Sequence, residues 1–295
     1  MTDPYKILNM KYWLVLGILF FVVVVISFAV YSNYVQFVRV PGGAPRHLFE
    51  VKQIYPSQPG GREWFIDMNN PTIDGIFDPG SPISKQSDGS WRINGNFRPD
   101  NKNEDQVRMT VGTPDGEEQW KNVEITGYAR VLSADSDSDD LDWYARGGTH
   151  SSDVPCEGTA LKGTISVDGD VSWLKEIWHT GGYTRSKDTH KATDSILNRW
   201  IGWKIVIYNV NYGKTVKMES YLDNNDNNHW KMVSELVDDG GWYARSSNEE
   251  FFSANCNKPK DYVITNSGPL VTFRSDDMDW DFADLSVREI EPPQE

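Results

Sequence analysis

The sequence predicts an all-β body, a two-sheet antiparallel sandwich, preceded by one N-terminal transmembrane helix. Three observations carry this. The stretch from Trp13 to Tyr31 runs without a charge. From Trp64 onward, short alternating or apolar runs recur between Gly, Asp and Asn, and no amphipathic helix stands among them. Aromatic residues make up 13% of the 295-residue chain, a fraction that a disordered acidic chain lacks and a packed core uses.

The apolar run reads WLVLGILFFVVVVISFAVY, with Ser27 as its one polar residue. As a helix it is roughly 28 Å long, enough to span a bilayer. Tyr12, Trp13 and Tyr31 sit at its ends, where amphipathic rings favour the interface. Lys6 and Lys11 precede it, and Arg39 and Arg46 follow it. The simplest orientation keeps residues 1–12 in the cytoplasm and puts the acidic body outside the cell. Ser27 and Ala29 also offer the small residues of a signal-peptide cleavage site, but the run exceeds a usual signal h-region, which favours a retained anchor over residues 13–31. Residues 32–62 then read as a linker, PGGAPRH and PSQPGGRE flanking a short strand FEVKQIY.

Within the body, residues 63–291, strands are expected at Val123–Leu132, Leu161–Val167, Trp173–His179, Trp203–Asn209 and Val216–Leu222. Further strands are expected at Trp230–Leu236, Leu270–Phe273 and Phe282–Ile290, followed by a short tail, 292–295. Asp168-Gly169, Asn211-Tyr212-Gly213 and Asp223–Asn228 supply the turns. Many short strands without βα alternation indicate a two-sheet sandwich.

The formal net charge of −14 argues against nucleic acid or an anionic membrane surface as partner, since both would be repelled. The two cysteines, Cys156 and Cys256, exclude a disulfide-framework miniprotein and a cysteine-rich zinc fold. Outside the cell they are the one pair available for a disulfide, closing a loop that stabilises by up to roughly 4–5 kcal/mol in the chain-entropy view. Two buried free thiols are the competing reading.

YLDNNDNNHWKMVSELVDDGGW, followed by GPLVTFRSDDMDWDFADLSVREI, resembles the closing half of a concanavalin A-like lectin/glucanase jelly roll. The combination YARGGTHSS, CEG and KEIWHTGGYT resembles uncharacterised archaeal surface proteins of that superfamily, some of them likened to polysaccharide lyases. The resemblance covers most of Glu63 to Glu291 and implies a jelly roll; the fold hosts lectins, hydrolases, lyases and adhesive domains. The E-x-D-x-x-E strand of the glucanases is absent, since WFIDMNN has the Asp without flanking glutamates, and this disfavours hydrolysis by paired carboxylates. The lyase motifs R-S-E-L-R, Q-I-H and Y-F-K-A-G are also absent, KEIWH being a loose echo of the second.

Alternation along strands puts Lys175, Ile177 and His179 on one face, and Tyr144 with Arg146 on another, His150 following a Gly-Gly bend. Arg146, His150, Lys175, His179 and Tyr183 form the candidate catalytic set. On one concave sheet they would suit β-elimination: a cation neutralises a uronate carboxylate, a His or Tyr removes the acidified proton, and a Tyr protonates the leaving oxygen. The competing reading pairs Arg146 and Lys175 with neighbouring carboxylates and leaves the histidines and Tyr183 hydrogen-bonded at turns. Arg130, Tyr144 and Lys204 are added as candidate ligand contacts. Most tryptophans are expected in the core, Trp143 and Trp178 in particular because they lie out of phase with Arg146 and His179.

The loops Asp135–Asp142 and Leu222–His229 have oxygen-rich spacing that superficially suits Ca²⁺, but neither has the Gly and Glu of an EF-hand, and solvated turns are the simpler reading. The five histidines show no zinc spacing, and no phosphate loop, dinucleotide fingerprint or nucleophile elbow occurs, so no metal site and no other cofactor is expected. Together these observations favour a membrane-anchored extracellular domain that binds a polysaccharide or other glycan. A uronate-cleaving polysaccharide lyase on the same face is the alternative, and a structural domain packing against cell-envelope proteins is the third.

Overall fold

The strand QVRMTV shows the rule that builds the whole molecule: Val107, Met109 and Val111 are buried, while Gln106, Arg108 and Thr110 between them are only half covered. A pleated strand sends alternate side chains to opposite faces, so such a pattern lays one face on a core. The computed structural model describes residues 51–94, 106–113 and 119–293. The anchor expected at 13–31, the cytoplasmic end and residues 32–50 of the linker lie outside the described residues. Among the described residues no helix is long and apolar enough to cross a membrane.

Fifteen strands occur in this range. They are β1 (Glu63–Phe65), β2 (Phe77–Asp78), β3 (Ile83–Lys85), β4 (Trp91–Asn94), β5 (Gln106–Val111), β6 (Val123–Ala134), β7 (Asp140–Gly147) and β8 (Ala160–Ser166). After them come β9 (Asp170–Glu176), β10 (Lys187–Lys191), β11 (Ile201–Val210), β12 (Thr215–Asp223), β13 (Lys231–Asp238), β14 (Leu270–Asp276) and β15 (Met278–Glu289). One short helix, α1 (Asn248–Ser253), is capped by Ser247, whose hydroxyl accepts from the Glu250 amide.

The strands form two antiparallel sheets. One has eight strands in the order β13-β12-β11-β6-β15-β4-β3, with β1 paired to β15; the other has seven, in the order β10-β9-β8-β7-β14-β5-β2. The chain changes sheet between β1 and β2, β2 and β3, β4 and β5, β5 and β6, β6 and β7, β10 and β11, β13 and β14, and again between β14 and β15. This passing to and fro wraps the sandwich as a jelly roll. Trp143, Trp173, Trp203 and Trp280, all fully buried, fill the space between the sheets, the Trp143 and Trp203 rings lying 4.5 Å apart. Trp178 is likewise fully buried, but in a smaller cluster with Ile177 and Phe251.

Three differences from the sequence expectation matter for the site. The strand expected at Trp173–His179 begins earlier and ends at Glu176, so His179 lies in a turn. Residues 51–55 are not a strand, and residues 51–62 are fastened to the eight-stranded sheet. Ser57 bridges Ile290, the Gln58 amide donates to the Glu289 carbonyl, and Arg62 pairs with Glu289 at 2.7 Å. This N-terminal strap covers the sheet's outward face, where Ile54 and Tyr55 pack against Val206, Tyr208 and Tyr221. Finally, Asp140 and Asp142, expected in a solvated acidic loop, belong to β7, and Asp142 is buried.

Candidate functional site

The outward face of the seven-stranded sheet follows from strand phase. Asp140, Asp142 and Tyr144 of β7 alternate with the core residues Leu141, Trp143 and Ala145. Register carries the same face across the sheet: Arg274 lies opposite both Asp142 and Arg108, and Tyr144 lies opposite Thr272 and Lys162. One strand further, Lys162 lies opposite Leu174, two residues from Glu176 on the same side of β9.

At the β9 end, fully buried Glu176 is the hub. Lys162 Nζ sits 2.8 Å from Glu176 Oε2, and His150 Nε2 is 3.1 Å from the same oxygen. His179 Nδ1 is 3.2 Å from Glu176 Oε1, and the Tyr183 hydroxyl is 3.3 Å from that same ring nitrogen. Burial alone would raise the Glu176 carboxyl, but the Lys162 charge and the hydrogen bonds from His150 and His179 hold it well below the usual carboxylate range. The Tyr183 phenol is pushed up by burial and by the Glu176 charge, so it stays a donor. Lys162 also lies over the rings of Tyr144 and Tyr183, 5.0 and 5.4 Å from their centroids. Nδ1 of His179 faces Glu176, and this side chain keeps 25% of its exposure.

At the other end, Arg274 is shared: Nη1 donates to Asp142 and Nη2 to Asp276. Arg274, with Arg108 and Lys162 further off, does not outweigh burial and repulsion among three carboxylates. Burial and the charges of Asp142 and Asp276 push Asp140 up to about 8, and burial brings Asp276 to about 6 although Arg274 opposes it. Five buried polar atoms of this face have no hydrogen-bond partner: Arg108 Nε, Asp142 Oδ1, Tyr144 Oη, Arg274 Nε and Asp276 Oδ1.

The expected convergence of five catalytic candidates is corrected by two backbone events. His150, His179 and Tyr183 come together, around Glu176. Arg146 does not join them: its φ of 71° is left-handed, the alternation of β7 breaks there, and its guanidinium donates to the Lys121 and Ile264 carbonyls and to Asn209. Lys175 points to the interior instead, 2.8 Å from Asp238 of the opposite sheet and 3.0 Å from the Tyr262 carbonyl. Lys175 and His179 would have shared a face only if the strand had continued; a turn through Thr180, at φ 68°, swings His179 round to Glu176.

Of the other candidates, Tyr144 lies on the site face, whereas Arg130 and Lys204 belong to the outward face of the eight-stranded sheet. Arg130 pairs there with Asp88 and Asp281 and lies over Trp200, and Lys204 donates to Glu124 and Thr126. In the acidic loop at Leu222–His229, Asp223 Oδ2 accepts from the Asn227 and Asn228 amides at 2.9 and 2.7 Å and from the Tyr128 hydroxyl at 3.2 Å. Among the described residues no group of three or more His, Cys, Asp or Glu side chains gathers as a metal site. Sequence reasoning missed Glu176, Lys162, Arg108, Asp142, Arg274 and Asp276; their common phase on neighbouring strands was the available signal.

Cys156 and Cys256 are joined by a disulfide, with their Cα atoms 5.4 Å apart.

No family model matches the chain, and no curated protein matches its sequence. Among solved structures, it is similar to the carbohydrate-binding module CBM66 from Bacillus subtilis, at 8% identity over 72% of this chain and 96% of that one, with a TM-score of 0.44. It is also similar to alginate lyase vAL-1 from Chlorella virus, at 11% identity over 77% and 98% of the two chains and a TM-score of 0.46. A third is arcelin-5, a lectin-like defense protein from Phaseolus vulgaris, at 7% identity over 78% and 99% and a TM-score of 0.43. At these identities and TM-scores the likenesses carry no weight of their own, and the jelly roll is read from the strand order.

Proposed function

We propose that the chain is a glycan-binding domain, held outside the cell by a membrane anchor at residues 13–31, and that it takes a saccharide on the outward face of the seven-stranded sheet. The observation that carries this is the set of unpartnered polar atoms on Arg108, Asp142, Tyr144, Arg274 and Asp276. A buried polar atom without a partner costs about 1–3 kcal/mol, and five on adjacent strands are a standing preference for something that supplies both donors and acceptors. Sugar hydroxyls do both. Asp276 and His179 retain about a quarter of their exposure, so contact from solvent begins at these two ends of the face. The test is retention of the full-length protein, in detergent micelles, on an array of neutral, amino and uronate glycans. Retention that disappears in Arg274→Ala and Asp142→Ala supports the reading; no retention on any glycan, or retention indifferent to both variants, overturns it and leaves a structural envelope domain.

A second reading, β-elimination of a uronate-containing glycan, is favoured by one specific contact: Glu176 orients His179 while the Tyr183 hydroxyl touches the same ring. In that case a cation of the face neutralises the uronate carboxylate, and His179 removes the acidified proton. The electron pair forms the new carbon–carbon double bond, and Tyr183 protonates the departing glycosidic oxygen. Ultraviolet absorbance of an unsaturated uronate, growing with wild type and lost in His179→Ala, would establish this reading over simple binding.

A further inference from the structure

We infer that the Cys156–Cys256 disulfide positions His150 and His179, acting as a clamp on the segment 177–183 that carries the candidate site rather than as a staple of the sandwich. Two pieces of backbone grip this segment. One is the single-turn 3-10 helix Pro155–Glu157: the His179 amide donates to the Pro155 carbonyl at 2.9 Å, and the Gly148 amide, two residues before His150, donates to the Glu157 carbonyl at 2.9 Å. The adjoining Gly158 lies so close that a Cβ there would stand 2.6 Å from His179 Cβ. The other piece is the stretch 245–258: the Arg245 amide donates to the Tyr183 carbonyl at 2.9 Å, Ser246 Oγ donates to the Gly181 carbonyl, and Phe251 of α1 stacks on Trp178 with ring centroids 3.9 Å apart. Cys156 belongs to the first piece and Cys256 to the second, so the S–S bond joins the grips across the segment they hold.

The main core contains neither cysteine. What needs support is the turn itself: Thr180 is β-branched at φ 68°, a conformation such residues avoid, and it persists only where the surroundings impose it. Opening the bond frees the grips to part, and the turn relaxes toward ordinary backbone, carrying the His179 ring away from Glu176.

The inference deepens the site reading above, and its test uses no glycan, so failure of one is distinguishable from failure of the other. Full-length protein labelled with ¹⁵N is compared oxidised, after dithiothreitol, and as the Cys156→Ser/Cys256→Ser variant; dithiothreitol donates two electrons and two protons to give two thiols and becomes a cyclic disulfide. The expected result has three parts: His150 and His179 ring nitrogens shift toward free-imidazole values, Gly148 and His179 amides exchange at least tenfold faster, and β11 amides at Ile205 and Ile207 keep their rates. His190, whose Nε2 lies 2.9 Å from the Val233 carbonyl, is the internal control. Unchanged histidine signals after reduction overturn the inference, as does equal acceleration in β11, which would make the disulfide a staple of the whole fold. Should the double variant not fold, the reduced wild type gives the same reading.

Discussion

The two sheets each turn a charged face outward, and the faces differ in how their charges are answered. On the eight-stranded sheet, Glu124 is paired with Lys204 and Arg288 and also accepts from the Ile54 amide at 3.0 Å. Glu219 accepts from the hydroxyls of Tyr55, Tyr208 and Tyr221 at 2.8–2.9 Å. The strap lies over both. On the seven-stranded sheet only Glu176 is answered as fully, while Asp140, Asp142 and Asp276 compete for Arg274 and polar atoms are left without partners. Burial of charge is thus common to both faces and does not mark a site. A shortfall of partners does, because each unmet donor or acceptor is a free-energy cost that a ligand can remove.

The contrast is open to attack by substitution. The largest effect is expected from Glu124→Gln, which strands the buried Lys204 and Arg288: about 3–5 kcal/mol of unfolding free energy lost in urea titration. A loss below about 1 kcal/mol would mean that the answered face is not structural. Glu176→Gln should cost less, about 2–3 kcal/mol, because it strands one buried cation, Lys162, rather than two; glycan retention should nevertheless be lost, which Glu124→Gln at a permissive temperature should spare.

Acidity separates the crowded carboxylates from the fully paired ones in sign. Asp140 titrates near 8 and Asp276 near 6 in the folded protein, against about 3.9 for an unfolded aspartate, so between these values the folded state holds more protons. Their contribution is full below about pH 4 and is lost as pH rises through 6 and 8. Glu124 and Glu176 are shifted down, so their stabilisation is lost instead as pH falls below the ordinary glutamate range. Asp140→Asn/Asp276→Asn should therefore flatten the decline of stability toward pH 8 and leave the acid limb intact; a decline that survives the double change would remove the carboxylate crowding from the account. The smallest effect is expected from Glu235→Ala, a residue 58% exposed and 3.1 Å from Lys217, which keeps Glu219 as its other partner: within about 0.5 kcal/mol by thermal melting.

Much of the fold was legible because strands announce themselves twice, by alternation within and by turn residues between. Thr215–Asp223 follows Asn211-Tyr212-Gly213, all three at positive φ, as that sequence leads one to expect. The site was legible only in part. His150, His179 and Tyr183 meet, yet phase reasoning failed where backbone left the strand, at Arg146 and beyond Glu176. Asp142 was hidden for a different reason: a carboxylate in DSDSDDLD has the composition of a solvated loop, and only the strands laid beside β7 bury it. Linear sequence gives phase along a strand but not which neighbour covers it.

The bridge between Ser57 and Ile290 has a mechanical corollary. It seats the strap beside the residues that follow β15 on the eight-stranded sheet, where the Glu291 amide also donates to the Pro56 carbonyl at 3.0 Å. Drawing these two segments apart therefore loads this seam before it loads the longer ladder between β6 and β15.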